Sequence, residues 1–359
     1  MAFAPQRGSN TLRTGRHDTL ARMDHAERFP VIVGPTAGGK TALAVEVALR
    51  LGVDAAGELR GEVVTADSIQ IYRGLDIGSA KPTPEERGGV RHHLIDIVEP
   101  TDEFTVHDWL RAAEACIADI RARGHVPIVV GGTHLYVKGF IDGMFEGPGA
   151  DEALRVQLRA RGLTALREEL SRVDPSAAAK IHPNDERRTI RALEVFLLTG
   201  KPISEHQRQW DQPTDGPRQE ASSDGGAVRV AGRRRDCVLV GLDWPTEAIN
   251  RRINARVRQM VDAGLVEECR SLHAAGRFGI QAREALGYKQ LFEHLERRCS
   301  LDDAIEEIKI QTRRFAKNQR TWLKRLRLTP GSVWINAEET PSEQWPDIVL
   351  AAMKAVAGR

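Results

Sequence analysis

Eight consecutive residues, Gly34-Pro35-Thr36-Ala37-Gly38-Gly39-Lys40-Thr41, combine a pliant backbone with one ammonium group and one terminal hydroxyl. Their G-x-x-x-x-G-K-T spacing suits a phosphate. Glycines let backbone N–H groups turn inward, Lys40 adds a full charge, and the Thr41 hydroxyl can ligate a phosphate-bound Mg²⁺. The flanks meet the motif's requirement: the apolar run Val31-Ile32-Val33 precedes it and helix-forming Ala42 to Leu51 follows. A helix N-terminus then adds partial positive charge to the loop. This stretch binds a phosphorylated ligand of a kind it does not itself specify.

Further reactive groups stand where two other apolar runs end. Glu62-Val63-Val64-Thr65-Ala66 leads into Asp67 and then Ser68-Ile69-Gln70. In doubly wound sheets functional groups gather at the carboxyl ends of strands, so Asp67 is expected beside the phosphate loop if both strands share one parallel sheet. A general base, a helix N-cap and a ligand of Mg²⁺-bound water all remain open for it. The strand Val126 to Val130 ends in Gly131-Gly132-Thr133, a second place for backbone to approach a ligand, or a plain turn. His92-His93 are adjacent, and neighbouring strand residues face opposite ways. Without a third ligand in register they read as core or loop residues rather than a metal site.

These groups need elements to position them. The 359 residues allow one large or two modest domains. Phe104 to Arg123 has helical spacing and leads into the Val126 strand. From Asp151 the character changes: Asp151 to Val173 and Asp185 to Leu198 read as long charged helices, separated by stops at Asp174-Pro175 and His182-Pro183-Asn184-Asp185. Cys237 to Leu242 resumes the strand pattern, and Asn250 to Leu272 reads as a helix rich in arginine, including Arg251, Arg252, Arg256 and Arg258. The expected organisation is an α/β, doubly wound parallel P-loop core over 30–140 and 237–345, with a helical domain inserted at 141–210. Residues 1–29 are expected to be a disordered extension and 211–236 a flexible loop.

Composition narrows the partners. Net charge is only +2, so affinity for nucleic acid must come from local clusters. One such cluster is clear: Ile308 to Ala337 contains no acid but carries Lys309, Arg313, Arg314, Lys317, Arg320, Lys324, Arg325 and Arg327, interleaved with Phe315 and Trp322. Arg187, Arg188 and Arg191 form a smaller group suited to phosphates or to a solvated face. The four cysteines are scattered without a C-x-x-C pair, and no run has the length of a membrane span. A monomer in a reducing cytoplasm is expected. Taken together, the residues fit an enzyme joining a phosphorylated small molecule to a nucleic acid, or a P-loop NTPase that touches RNA.

Ordered motifs along the chain resemble the tRNA dimethylallyltransferase (tRNA isopentenyltransferase) family. They are Gly34 to Thr41, Asp67-Ser68-Ile69-Gln70-Ile71-Tyr72, Asp76 to Pro82, His92 to Asp96, Val130 to Tyr136, His182 to Asp185, Arg191 to Val195 and Thr312 to Trp322. The match runs from about Val31 to Leu326 and is of the bacterial type, without a C-terminal zinc finger. It implies transfer of a dimethylallyl group from dimethylallyl diphosphate to the exocyclic N6 amine of the adenosine 3′ of a tRNA anticodon. By the resemblance, residues Gly34 to Thr41 hold the donor's diphosphate with Arg256, and Mg²⁺ sits on Thr41. Asp67 takes the proton from the attacking amine, which Thr133 positions, while Ser68, Ile69 and Gln70 read the base. The run Arg187-Arg188-Thr189-Ile190-Arg191 would grip the anticodon stem-loop, together with Arg155, Arg283, Gly287 and Tyr288. Departures are Gly39 where Ser is usual, Ser79 for Thr, and Phe315 and Asn318 where Tyr and Arg are common. The nearest rival, a transferase acting on free adenine nucleotides, needs neither the helical insertion nor the basic segment.

Overall fold

A computed structural model of the chain describes residues 28–144, 147–207 and 234–355. Among the described residues six strands form one sheet: β1 (Phe29–Val33), β2 (Gly61–Ala66), β3 (His92–His93), β4 (Val126–Gly131), β5 (Cys237–Asp243) and β6 (Val333–Asn336). Their order is β3-β2-β4-β1-β5-β6, and every neighbouring pair is parallel. A parallel sheet is covered on both faces, which is why its strands read as nearly unbroken apolar runs. All five residues of β1 are buried.

Between and after the strands, fifteen helices run among the described residues. The first four are α1 (Lys40–Arg50), α2 (Pro84–Arg87), α3 (Val106–Ala122) and α4 (His134–Asp142). Then come α5 (Glu152–Ala160), α6 (Leu163–Val173), α7 (Pro175–Lys180), α8 (Glu186–Thr199) and α9 (Ile203–His206). After β5 follow α10 (Thr246–Asp262), α11 (Leu265–Ala274), α12 (Ile280–Arg283), α13 (Tyr288–Leu295), α14 (Leu301–Leu326) and α15 (Trp345–Lys354). Alternation along the strands divides the packing. Ile32, Val63, Ile128, Val130 and Val240 pack with α1 and α15, while Val31, Val33, Val64, Val129 and Leu239 pack with α3 and α4. The sheet is therefore doubly wound, as expected. A third cluster joins the Ile71–Leu75 turn to α10, α11, α13 and α14, and a separate small core holds α5 to α9 together.

Several boundaries differ from the sequence expectation. Asp151 to Val173 is two helices, because the chain turns at Gly162 with φ of +78°. Asn250 to Leu272 likewise breaks into α10 and α11 at Gly264, with φ of +101°. Helical periodicity continues through both turns, so it conceals them. Phe29, assigned to the N-terminal extension, is a strand residue only 1% exposed. Helix α15, beyond the expected limit of the core, packs Trp345, Val349, Ala352 and Met353 into the same cluster as α1. Residues 1–27 and 208–233, which hold most of the expected extension and loop, lie outside the described residues. At the end of that loop Arg234 is buried, its guanidinium bonded to Glu114 and Asp236.

The stops at Asp174 and Asp185 fall where expected. Asp174 Oδ1 accepts the Ala177 N–H at 2.9 Å and Asp185 Oδ1 the Arg188 N–H at 3.0 Å, each satisfying an orphan donor of a helix start. No helix among the described residues is long and apolar enough to cross a membrane.

Candidate active site

The phosphate loop leaves β1 and enters α1 through Gly39, whose φ of +89° lies in the left-handed region. A Cβ there would stand 3.3 Å from the Trp345 ring. Both facts suit glycine where the family commonly has serine. Two side chains brace the loop from outside: Trp244 Nε1 donates to Gly38 O at 3.0 Å, and Arg252 Nε donates to Ala37 O at 2.8 Å. The Arg252 guanidinium lies 4.7 Å from the Trp244 ring centroid, and Trp345 meets Trp244 edge-on. With its carbonyls held outward, the loop is free to present N–H groups to an anion.

Lys40 rests on the loop itself, donating from Nζ to Pro35 O at 2.8 Å. Burial pulls its pKa down to about 8, nearby Arg256 adds to the drop, and Asp67 opposes it. Arg256 makes no hydrogen bond or ion pair among the described residues, and burial lowers its pKa against the attraction of Asp67. Two cations crowded together without a carboxylate bonded to either form a site that favours an anion.

Sheet order decides how the other groups meet. Strand β4 lies between β2 and β1, so Thr133 stands between Asp67 and the phosphate loop. The two strands share one parallel sheet with β4 between them, and Asp67 and the loop line the same cavity. Pairing of Ala66 with Gly131 brings Asp67-Ser68 alongside Thr133. Thr133 Oγ1 accepts from Ser68 N at 3.1 Å. Asp67 Oδ1 accepts from Ile69 N at 2.9 Å and Gln70 N at 3.3 Å, which caps the turn and leaves Oδ2 without a partner among the described residues. The capping and the reactive readings of this acid thus use different oxygens. Gln70, largely buried, donates from Nε2 to Ser79 O at 3.1 Å and Ala80 O at 3.0 Å, tying the Asp76 to Pro82 segment to the site.

One cavity of about 360 Å³ joins these parts. Lys40, Thr41, Asp67, Thr133 and Arg256 line it together, and Ile253, Val257, Met260, Leu265 and Ile308 add an apolar wall. Phe315 and Gln319 of α14 complete the lining. Basic, carboxylate, hydroxyl and apolar surfaces therefore face one space. Among the described residues no group of three or more His, Cys, Asp or Glu could hold a metal. Half-buried His93 bonds Glu62 at 2.7 Å, and half-buried His92, which lines the cavity, bonds Val90 O at 2.9 Å.

The residues expected to meet RNA divide into exposed and internally engaged groups. Arg187 and Arg188 are exposed on the first turn of α8. Thr189 and Ile190 are buried, the Thr189 hydroxyl donating to Asp185 O at 2.8 Å. Arg155 and Arg191 share the buried carboxylate of Glu194, at 2.9 and 2.6 Å. Arg283 is exposed, 4.9 Å from the Phe292 ring centroid, and Gly287 lines the cavity. Tyr288 is fully buried and its hydroxyl donates to Glu268, which also accepts the N–H groups of Asp76, Ile77 and Gly78. Its phenol is an internal strut rather than an exposed surface group. On α14, Arg314, Lys317, Lys324 and Arg325 are exposed, whereas Arg313 bonds Asn254 and Arg320 bonds Thr246.

Sequence reasoning missed the roles of Gln319, Trp244 and Arg252. A signal for Gln319 existed: the buried positions Ala304, Ile308, Ala316 and Leu326 recur at helical spacing on α14, and Gln319 interrupts them with an amide.

Comparison with known proteins agrees with this geometry. A family model for IPP transferase matches residues 70–326, and one for isopentenyl transferase matches residues 28–102. The chain is 45% identical over 307 residues to the tRNA dimethylallyltransferase of Geobacillus thermodenitrificans, covering 83% of this chain and 88% of that one. It is 44% identical over 313 residues to that of Geobacter sulfurreducens, covering 86% and 91%. The full-length tRNA isopentenylpyrophosphate transferase of Bacillus halodurans superposes with a TM-score of 0.62 at 37% identity, over 91% of this chain and 97% of that one. A eukaryotic dimethylallyltransferase acting on tRNA superposes with a TM-score of 0.70 at 27% identity, over 89% and 75%. With a phosphate loop, an acid and a hydroxyl facing one cavity, and with such identity along most of its length, this chain belongs to the tRNA dimethylallyltransferase family.

Proposed function

We propose that the cavity transfers a dimethylallyl group from dimethylallyl diphosphate to the N6 amine of the adenosine 3′ of the anticodon in tRNA. The observation that carries this is the single space shared by Lys40, Arg256, Asp67, Thr133 and an apolar wall. A diphosphate seats on the loop from Gly34 to Thr41, with Lys40 and Arg256 as its charge partners. The five-carbon chain lies against Ile253, Val257 and Ile308. Thr133 orients the amine, and Oδ2 of Asp67 takes its proton. As the new C–N bond forms, the C–O bond breaks and its electron pair leaves with the diphosphate, where Lys40 and Arg256 balance the charge.

The Thr41 hydroxyl fits a Mg²⁺ ion that arrives with the diphosphate, since this metal keeps most of its waters and takes few protein ligands. Charge neutralisation on the leaving group is the chemistry it supplies when bound. Strand β4 ends in glycines rather than an acid, which favours transfer over nucleotide hydrolysis.

For the acceptor, the exposed cations of α14 and of the first turn of α8 suit an RNA backbone, and Ser68 to Gln70 flank the place for a base swung out of its stack. The helical unit of α5 to α9 is assigned to gripping the stem-loop. The protein is incubated with dimethylallyl diphosphate, Mg²⁺ and an anticodon stem-loop, and the nucleosides are then weighed. The expected result is adenosine carrying one added C5H8 unit; unmodified adenosine under the same conditions overturns the proposal.

A further inference from the structure

Gln319 lies on α14, 4% exposed, among cations that face solvent. Its Oε1 accepts the Thr36 N–H at 2.8 Å, and its Nε2 donates to Gly132 O at 2.9 Å. One partner can only donate and the other can only accept, so the orientation of the amide is determined. Each bond fixes a peptide plane that carries a reactive group. The Pro35–Thr36 plane presents the Pro35 carbonyl that holds Lys40 Nζ and the Gly38 N–H, at 2.8 and 3.1 Å. The Gly132–Thr133 plane is held at its other end by the Thr133 N–H to Ala66 O, at 3.4 Å, and sets where the Thr133 hydroxyl stands. Gly132 leaves room for this: a Cβ there would lie 2.6 Å from Gln319 Nε2.

We propose that Gln319 is a positioning residue that sets the distance between the donor site on the phosphate loop and the acceptor site at Thr133. It rests on the assignment of the diphosphate to that loop and of the amine to Thr133. Strands β1 and β4 already fix the two loops roughly, through pairs such as Val33 with Gly131. Beyond the strand ends the ladder stops, and Gln319 supplies the cross-link that continues it. Displacement transfers depend steeply on the separation and alignment of the two reactants. An amide also does what no apolar side chain of that size can, because it satisfies a buried N–H and a buried C=O at once.

Three variants, Gln319→Met, Gln319→Glu and Lys40→Ala, are compared with the wild type in steady-state prenylation of an anticodon stem-loop, from about pH 6 to pH 8.5. Gln319→Met is expected to lower kcat on the order of 10- to 100-fold, with KM for the RNA changed less than about threefold. Gln319→Glu restores both bonds only when protonated, with O–H for Gly132 and C=O for Thr36. Its kcat relative to wild type should therefore rise as pH falls, while the ratio for methionine stays flat. A kcat for Gln319→Met within about threefold of wild type overturns the proposal. So does a pH-independent ratio for Gln319→Glu, a test that stands even if the methionine variant fails to fold. If Lys40→Ala raises the donor KM while both Gln319 variants behave as wild type, the clamp falls and the site assignment survives. A donor KM left unchanged by Lys40→Ala overturns the site assignment and the clamp with it.

Discussion

At the residue scale, Asp67 divides its two oxygens between structure and chemistry. Oδ1 caps the turn that follows β2, and Oδ2, without a partner among the described residues, is the oxygen proposed to take the amine's proton. Asp67→Asn keeps an oxygen acceptor for the cap but cannot take a proton. It should lower kcat by about 10²- to 10⁴-fold while RNA affinity, measured by filter binding, stays close to wild type. Equal losses in both would assign Asp67 to recognition instead. Lys40 supports a pH prediction. Its pKa is lowered to about 8, so the free site loses this charge as pH rises through that value. The protonated form is the one that attracts a diphosphate. Affinity for a non-reactive alkyl diphosphate should thus be flat below about pH 7 and fall above pH 8, as read by calorimetry. Lys40→Arg, which stays charged, should remove the step.

At the scale of elements, α14 and the α5–α9 unit do different work. Helix α14 places acids in its first turn and cations in its last, complementing the helix dipole, and it spans from α10 to the loops at the strand ends. The α5–α9 unit depends on the buried carboxylate of Glu194, which receives Arg155, Arg191 and the Asp151 N–H. Glu194→Gln removes the charge and one acceptor pattern, leaving two guanidinium groups imperfectly paired. The unit should lose about 1–3 kcal/mol of stability. Hydrogen exchange would show this as faster exchange in α5 and α8, with the amides of β1 and β4 unchanged. Those two strands belong to a different core.

At the scale of the whole molecule, the reactive groups sit at one end of the sheet and a charged network closes the other. Glu62, 2% exposed near the start of β2, accepts from Arg123, His93 and His125. Burial pushes its carboxyl up, but those hydrogen bonds outweigh it and hold the pKa down to about 2. A depressed carboxylate contributes stability above its ordinary value and loses it as pH falls through the folded one. The melting temperature should accordingly drop between pH 4.5 and about 2, and Glu62→Gln should flatten that part of the profile. His125 works in the opposite sense. Its hydrogen bonds to Glu62 and Asp54 raise its pKa, so its contribution is present at low pH and fades as pH climbs past that raised value.

The sequence by itself determined whatever depends on neighbours along the chain. The phosphate loop, the apolar parallel strands, the caps at Asp174 and Asp185, and the reactive groups at strand ends were all legible, because each is encoded within a few residues. Only the tertiary structure decided what depends on partners far away. Sheet order put Thr133 between Asp67 and the loop, which no local pattern specifies. Arg155 and Arg191, expected to meet RNA, share the buried carboxylate of Glu194. Gln319 joins partners that lie 283 and 187 residues away in the chain. Hydrogen bonds of that span are set by packing, and packing is a property of the whole fold.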